Sequence, residues 1–419
     1  MQTVIGIDDT DSREEGMCTT YVARRVAAEL RSRGQRVATL RLVRLNPAVE
    51  FKTRGNAALA VHTAAPLDLA FDVATTVVES YAETGDARTN PGVVVAGESD
   101  ESVLEFARDS LSEVHDLSAA EGLIDEVGYR SAGWGVGRGK IGALAAVGAH
   151  AAFDEWTYEY IAYRRPERWG TPRDVDVDSL FDAAEEAYPR AWDTVDRGEG
   201  APVSVPNAPG PILFGIRGDD PHAVASVAAG VTSEPIHDRG LFLTNQGTDA
   251  HVQSGELGAL RDGVAYRVTG TVLTDPWTEE GGHVFFTLGA NGERRRCVAF
   301  EPTKRFRDRV RALRTGDRVT VVGEVADGTI KLEKFAVRDL ETTERVTPTC
   351  PECGTSMESA GADQGYRCRD CATSAPGRVE RQVTRDLSVG WYEVPPVARR
   401  HVAKPLVRGG FDAPTHPER

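Results

Sequence analysis

Three carboxylates fall within four residues near the start of the chain, in Gly6-Ile7-Asp8-Asp9-Thr10-Asp11-Ser12. Like charges packed this closely repel, and they are tolerated where a hard divalent cation sits among them. Mg²⁺ suits such a place, because it prefers carboxylate oxygens shared with substrate phosphates. The competing reading is a solvated acidic turn in an acidic protein. Met17-Cys18-Thr19-Thr20 follows at a helix start, where free backbone N–H groups favour anions and a hydroxyl can contact or receive a phosphate. A plain helix cap is the alternative there. Lys52 and Arg54 precede Gly55 and an apolar run, and Lys52 is one of only six lysines. Arg138 and Lys140 stand in the glycine-dense stretch Gly133 to Gly142, whose backbone can approach a phosphate or base closely. No Gly-Lys-Ser or Gly-Lys-Thr ends that stretch, so it is not a Walker loop. A turn packed against a neighbouring domain would look the same.

The most specific local signal is near the C-terminus. Cys350-Pro-Glu-Cys353, fourteen intervening residues and Cys368-Arg-Asp-Cys371 form two knuckles with the spacing of a tetrahedral zinc site. All four positions are occupied by thiols, which marks the site as closed and structural. A redox pair would not need two knuckles. Cys18 and Cys297 are isolated, so the six cysteines read as a metal site plus two free thiols. Beyond them, Gly390 to Pro396 and Ala398 to His401 combine aromatics with cations. That tail suits either RNA contact or an aromatic anchor that docks it.

The elements that must hold these groups follow from periodicity. An apolar strand at Val4 to Ile7 carries the carboxylates at its end, and a helix at Thr19 to Arg33 follows the loop. Strands at Val37 to Leu45, Ala57 to His62 and Gly92 to Ala96, with a helix at Leu67 to Tyr81, complete an α/β unit. Ligands bind at the loop ends of strands in such sheets. A second α/β region has the glycine stretch, a helix around Trp156 to Tyr163, a helix near Leu180 to Asp193, and strands at Ile212 to Ile216 and Phe242 to Thr244. From Gly263 the pattern turns to five short strands with a helix at Thr303 to Leu313 between the third and fourth, the layout of an OB-fold barrel.

Composition bounds the rest. At 419 residues the chain suggests three to four compact units. No apolar run approaches the roughly 20 residues that span a bilayer, and the N-terminus carries no export signal, so a cytoplasmic, non-membrane protein is expected. The formal charge is −15, and 43 of the 49 basic residues are arginines. An acidic, lysine-poor chain fits a very salty cytosol, where the Debye length is about 3 Å at 1 M. Net charge then reports on the host more than on the partner.

Several blocks in order along the chain carry a family resemblance: GIDDTDS, GMCTTY, RLNPAVEFKTRGNAA, TNPGVVVAG, GVGRGKIGALAA, TYEYIAYR, FGIRG, LTNQGTDAH, AFEPTKRFR and GWYEVPPVARRHVAKPL. The chain resembles the archaeal tRNA(Ile) 2-agmatinylcytidine synthetase (agmatidine synthetase) family. The resemblance implies an α+β multidomain fold: a kinase-like catalytic domain over 1–115, a ferredoxin-like domain over 116–255, an OB-fold over 256–342, a zinc ribbon over 343–380 and a tail over 381–419. It implies an ATP-dependent ligase that activates the wobble cytidine by phosphorylation and joins agmatine to its C2, so that the CAU-anticodon isoleucine tRNA decodes AUA. The partners would be that tRNA and agmatine, the cofactors ATP, Mg and Zn, and a monomer could act alone. Carried over by position, Asp8, Asp9 and Asp11 would hold Mg²⁺ against the triphosphate and Thr19 would be phosphorylated. Lys52 and Arg54 would meet phosphate, and Arg138 and Lys140 on the glycine-rich loop would either do the same or border the agmatine pocket. For dicationic agmatine, Tyr158, Glu159, Trp192, Asp193 and Asp196 offer carboxylate and aromatic walls.

Overall fold

The computed structural model describes residues 3–53 and 55–419. Arg54, expected to meet phosphate, lies outside the described residues. The first strand, β1 (Thr3–Asp8), alternates its side chains so that Ile5 and Ile7 enter one core and Val4 another. The order continues α1 (Thr19–Ser32), β2 (Val37–Arg44), β3 (Ala57–Thr63), α2 (Leu67–Tyr81), β4 (Gly92–Ala96), α3 (Glu101–Asp109), α4 (Leu117–Glu126), β5 (Arg130–Gly133) and α5 (Lys140–Ala152). Helices α1 and α2 cover one face, while α3, α4 and α5 cover the other. Helix α5 sits unusually close to the strands: a Cβ on Gly6 would fall 2.0 Å from the Ala143 carbonyl oxygen. Glycine there allows the contact.

The second part comprises β6 (Thr157–Tyr163), α6 (Val177–Ala187), β7 (Ala191–Trp192), the hairpin β8 (Val195–Asp196) and β9 (Ala201–Pro202), β10 (Ile212–Gly218), α7 (Pro221–Gly230) and β11 (Asp238–Thr244). Residues 156–163 were expected to be helical, and they form a central strand instead. Thr157, Tyr158, Tyr160, Ile161 and Tyr163 are β-branched or aromatic, and β6 is paired on both sides, by β10 and β11. The helix expected near 180–193 ends at Ala187, before the Tyr188-Pro189 bond, because the residue before proline disfavours helical backbone.

All these strands except the β8–β9 hairpin form one nine-stranded sheet in the order β5-β4-β1-β3-β2-β11-β6-β10-β7. Its two halves meet where β2 pairs in parallel with β11, from Leu40 opposite Phe242 to Leu42 opposite Thr244. Just beyond, Asn245 locks the seam. Its amide oxygen accepts the Arg44 N–H at 2.7 Å and its amide nitrogen donates to the Arg44 carbonyl at 2.9 Å. Asn245 is fully buried.

A short strand, β12 (Val252–Ser254), leads into β13 (Ala265–Val272), β14 (Trp277–Thr278), β15 (Val284–Ala290), β16 (Glu293–Ala299), α8 (Phe306–Arg311), β17 (Arg318–Ala326) and β18 (Thr329–Asp339). Strand β13 pairs β15 and β17, β15 pairs β16, β16 pairs β18 in parallel, and β18 pairs β17, which closes a five-stranded barrel. Phe306 and Val310 of α8 are sealed into the barrel core. The expected helix at 303–313 is shorter, starting after a 3₁₀ turn at Glu301–Thr303.

The ribbon hangs from a ladder of β19 (Thr343–Val346) and β23 (Val379–Gln382) and contains β20 (Glu358–Ser359), β21 (Tyr366–Arg367) and β22 (Ser374–Ala375). Its core is little more than Cys350, Met357 and Cys368. So small a core calls for a staple. The Sγ atoms of Cys350, Cys353, Cys368 and Cys371 all lie within 4.8 Å of one another, with Cys353 and Cys368 at 3.5 Å. A tetrahedron of ~2.3 Å Zn–S bonds places sulfurs ~3.8 Å apart, so the residues fit zinc.

The chain then returns to the barrel. Strand β24 (Gly390–Glu393) pairs with β18, and β25 (Thr415–His416) with β24. Trp391 is 1% exposed, so of the two readings of the tail aromatics the anchor describes this residue. Among the described residues no helix is long and apolar enough to cross a membrane.

Two outcomes follow. Asn245→Ala takes the partner from the buried Arg44 N–H, at about 1–3 kcal/mol, and leaves the Arg44 carbonyl to His251, so its urea midpoint at fixed high salt drops, with the slope unchanged. The intact protein releases one zinc per chain to a mercurial thiol reagent, read with a chromogenic chelator, and Cys353→Ser releases well below one.

Candidate active site

The carboxylates stand where β1 gives way to its loop. Asp9 has φ +57°, a left-handed turn that turns the chain sharply after Asp8. Its carboxylate accepts the Asn90 N–H at 3.0 Å and lies 3.6 Å from the Arg138 guanidinium. Asp8 rests against α5: a Cβ on Gly142 would fall 2.0 Å from its Oδ2. Burial, then the neighbouring Asp9 charge, pushes the Asp8 carboxyl well above its usual range, and burial raises Asp9 as well. The cluster therefore holds two acids in an environment that disfavours their charge. A divalent cation reverses that balance.

Among the described residues, only the four cysteines converge as a ready-made set of three or more metal ligands. The aspartates do not converge in that way, since Asp9 is drawn to Asn90 and Arg138. Mg²⁺ takes one or two carboxylates and completes its octahedron with water and phosphate oxygens. The donor set fits that mode and does not form a closed cage.

Two adjoining cavities open around this point. The smaller, about 120 Å³, is lined by Asp8, Asp9 and Asp11 and by Lys52, Phe51 and Arg138. Lys52 donates to the Pro47 carbonyl, and burial lowers its pKa. Arg138 lies 4.8 Å over the exposed Phe51 ring. Lys140 turns away: its ammonium meets Glu121 of α4 at 2.8 Å, and it lines neither cavity.

The larger cavity, about 340 Å³, lies over the seam between the sheet halves. Helix α1 presents its N-terminus there, with Cys18, Thr19 and Thr20 on the wall. The Thr10 hydroxyl donates to Thr19 Oγ1 at 3.1 Å, tying that terminus to the carboxylate loop. Arg44 from β2, Glu159 from β6, Arg217 from β10 and His401 from the tail complete the floor and far side. Gln246 bridges two of them, accepting from Arg44 Nε at 3.1 Å and donating to Glu159. Glu159 also lies 3.5 Å from Arg217. Burial lowers Arg44 to about 10. Asp11, Gly55 and Ala57 line both cavities, so the two are lobes of one cleft.

Of the five residues considered for agmatine, only Glu159 lines this cleft. Strand alternation sends Tyr158 to a different cavity, beside Arg24 and Arg239. The Trp192 indole donates to Asp219 at 3.1 Å, Asp193 pairs with Arg399, and the fully buried Asp196 pairs with Arg305 at 3.0 Å. Asp193 and Asp196 thereby join the second α/β part to the tail and barrel. Arg44, Arg217 and His401 were missed as site residues, although the blocks RLNPAVEFKTRGNAA, FGIRG and GWYEVPPVARRHVAKPL contain all three. Their signal was motif membership alone, since a lone arginine or histidine has no local spacing that marks it.

Comparison with known proteins finds relatives along the whole chain. Family models described as the TiaS TCKD domain, the TiaS FLD domain and the TiaS C-terminal zinc ribbon domain match residues 4–67, 137–251 and 347–387. An isoleucine-tRNA 2-agmatinylcytidine synthetase TiaS from Haloquadratum walsbyi is 52% identical over 461 aligned positions that cover all of both chains. A solved complex of TiaS with its isoleucine tRNA and ATP superposes with a TM-score of 0.91 at 40% identity, again covering both chains fully. A complex of TiaS with the same tRNA, AMPCPP and agmatine does so with a TM-score of 0.88 at 38% identity. A relative this similar over the full length leaves one conclusion: the chain belongs to the TiaS family of isoleucine-tRNA 2-agmatinylcytidine synthetases.

Proposed function

We propose that this chain joins agmatine to C2 of the wobble cytidine of the CAU-anticodon isoleucine tRNA, using ATP, and so forms agmatidine. The observation that carries the reading is the two-lobed cleft. A carboxylate-rich lobe suited to a metal–nucleotide complex opens at Asp11 and Gly55 into a larger lobe walled by arginines and a helix N-terminus. Relatives with full-length similarity bear the synthetase name, and solved relatives are described with their isoleucine tRNA, ATP or its analogue, and agmatine.

The chemistry divides between the lobes. The C2 carbonyl of cytidine is a poor electrophile until its oxygen becomes a leaving group. A phosphoryl group of ATP moves to that oxygen, with the O–P bond forming as the bond to the leaving phosphate oxygen breaks. The agmatine amine then forms its bond to C2 as the C2–O bond breaks. Phosphate departs, and the amine loses a proton to water. Asp8, Asp9 and Asp11 would hold Mg²⁺, which supplies charge neutralisation at the phosphates when bound. Lys52 and Arg138 face the nucleotide lobe and add positive charge to it. Phe51 and Arg138, already stacked, offer a platform for a base. Lys140 acts from behind, holding the glycine loop to α4 through Glu121. Thr19 lies beside the carboxylate loop and at a helix N-terminus, which supports the reading that its hydroxyl would receive a phosphoryl group.

Glu159 is the carboxylate of the larger lobe that does not also line the aspartate lobe, and it is the candidate partner of agmatine's guanidinium. Tyr158, Trp192, Asp193 and Asp196 serve the architecture around it. The first 115 residues would act as the kinase-like catalytic unit and residues 116–255 as the ferredoxin-like unit, with the barrel an OB-fold (256–342), the ribbon over 343–380 and the tail over 381–419. A cytoplasmic setting fits a tRNA-modifying role.

The test is incorporation of radiolabelled agmatine into the CAU-anticodon isoleucine transcript at high salt with ATP and Mg²⁺. Wild type transfers label. Asp9→Asn lowers the rate by about 10²-fold or more, as expected when charge stabilisation at a transferring phosphoryl is removed. Absence of transfer by folded, zinc-loaded wild type sinks the reading. In the same assay Glu159→Gln raises the KM for agmatine about tenfold or more, the scale of a lost charged hydrogen bond, and leaves the KM for ATP near the wild-type value.

A further inference from the structure

The C-terminal tail reaches back across the whole molecule to place one side chain in the cleft. Its course is set by ion pairs with each body it crosses. Arg399 meets Asp193 and, at 2.8 Å, Glu393. Arg400 meets Glu324 on β17 and Glu333 on β18. The Lys404 N–H donates to Asp249 at 2.6 Å, and Arg408 pairs with Asp219 at 2.7 Å. Between these fixed points the His401 carbonyl accepts the Gly247 N–H at 2.7 Å, which points the residue at the seam.

His401 lines the larger lobe. It stands at the junction of the lobes, with Cδ2 3.8 Å from where a Cβ on Gly55 would lie. Gly55 belongs to both lobes. The Arg217 charge, followed by desolvation and the Arg44 charge, holds the imidazole well below its usual pKa. The ring is therefore neutral at neutral pH, with one N–H to donate. Arg44 from β2, Arg217 from β10 and His401 from the tail thus line one lobe with side chains that carry N–H groups, drawn from three separate parts of the chain. A group that develops negative charge there, such as an oxygen carrying a phosphoryl, is what such a wall stabilises.

We propose that His401 is a substrate-contacting residue that donates a hydrogen bond to the phosphorylated C2 oxygen of the cytidine, delivered to the cleft by the docked tail. This rests on the agmatidine-forming reading of the cleft. It makes the tail part of the active site, so the cleft is complete only when the tail is seated on the barrel and on both halves of the sheet.

The experiment compares full-length, zinc-loaded wild type, His401→Ala and His401→Gln in the agmatine-transfer assay with saturating ATP. His401→Ala is expected to lower kcat by about 10²-fold, the scale for removing one donor from a developing oxyanion. The KM for tRNA should stay within about twofold, because the barrel and ribbon remain intact. His401→Gln, which keeps an N–H, is expected to recover at least about tenfold of that loss. Wild-type kcat in both variants overturns the proposal. So does a rise confined to the KM for tRNA, which assigns His401 to docking, or equal losses in Ala and Gln with melting temperatures well below wild type, which assign it to stability. Failure of wild type to transfer label overturns the reading of the cleft itself, an outcome separate from any ratio between variants.

Discussion

Three residue pairs of parallel ladder, Leu40–Phe242 to Leu42–Thr244, join the two halves of the main sheet. Parallel pairing over so short a run is weak by itself, and the locking falls to buried polar side chains just past it. Asn245 satisfies both backbone groups of Arg44, and Gln246 bridges the Arg44 and Glu159 side chains. His251 approaches the Arg44 carbonyl at 3.1 Å, and burial lowers it to about 4, so it enters this network uncharged. Polar groups sealed from water are costly unless every one finds a partner. The block LTNQGTDAH is thus the part that makes one sheet of two and fixes the register of Arg44 against Glu159. The cleft exists because that register exists.

Charge is distributed to match. Outside, the chain is strongly acidic, with net charge −15. Inside the larger lobe, Arg44, Arg173 and Arg217 gather beside Glu159 and Asp11. Anions approaching an acidic molecule in salt feel little long-range field, since screening confines attraction to short distances. Recognition must then come from local, water-poor contacts, where each guanidinium counts for more. Arginine suits that role better than lysine because its planar fork fits phosphate and carboxylate geometry and keeps its charge when buried.

The long-range architecture serves the same cleft. Asp196, fully buried, accepts from Arg305 of the barrel and from the Val397 N–H of the tail. Lys334, also buried, ties β18 to Asp249 and to the Lys404 carbonyl. Removing Arg305 or Asp249 takes the charged partner from a buried group, Asp196 or Lys334. The sheet, barrel and tail are therefore coupled by contacts that tolerate little slippage. The ribbon, with its three-residue core, stands apart in depending on thiolates rather than on packing.

What was legible in the sequence is what depends on near neighbours along the chain. The Asp8–Asp11 cluster, the Thr19 helix start and the paired Cys-x-x-Cys knuckles are set by spacing within a loop, and spacing is readable. The barrel strands were readable too, because alternation and turns repeat locally. The strand at Thr157–Tyr163 was misread as a helix, since a seven-residue run rich in tyrosine carries no period that separates the two until its partners β10 and β11 are known. The tertiary structure alone decided that Glu159 and Tyr158, adjacent in sequence, face different cavities. It alone sent Lys140 to Glu121 and drew Trp192, Asp193 and Asp196 into interfaces. It alone brought Arg44, Arg217 and His401 together, and no local pattern encodes that meeting. Residues far apart in the chain converge only when buried polar networks and closed sheets have removed the chain's other choices.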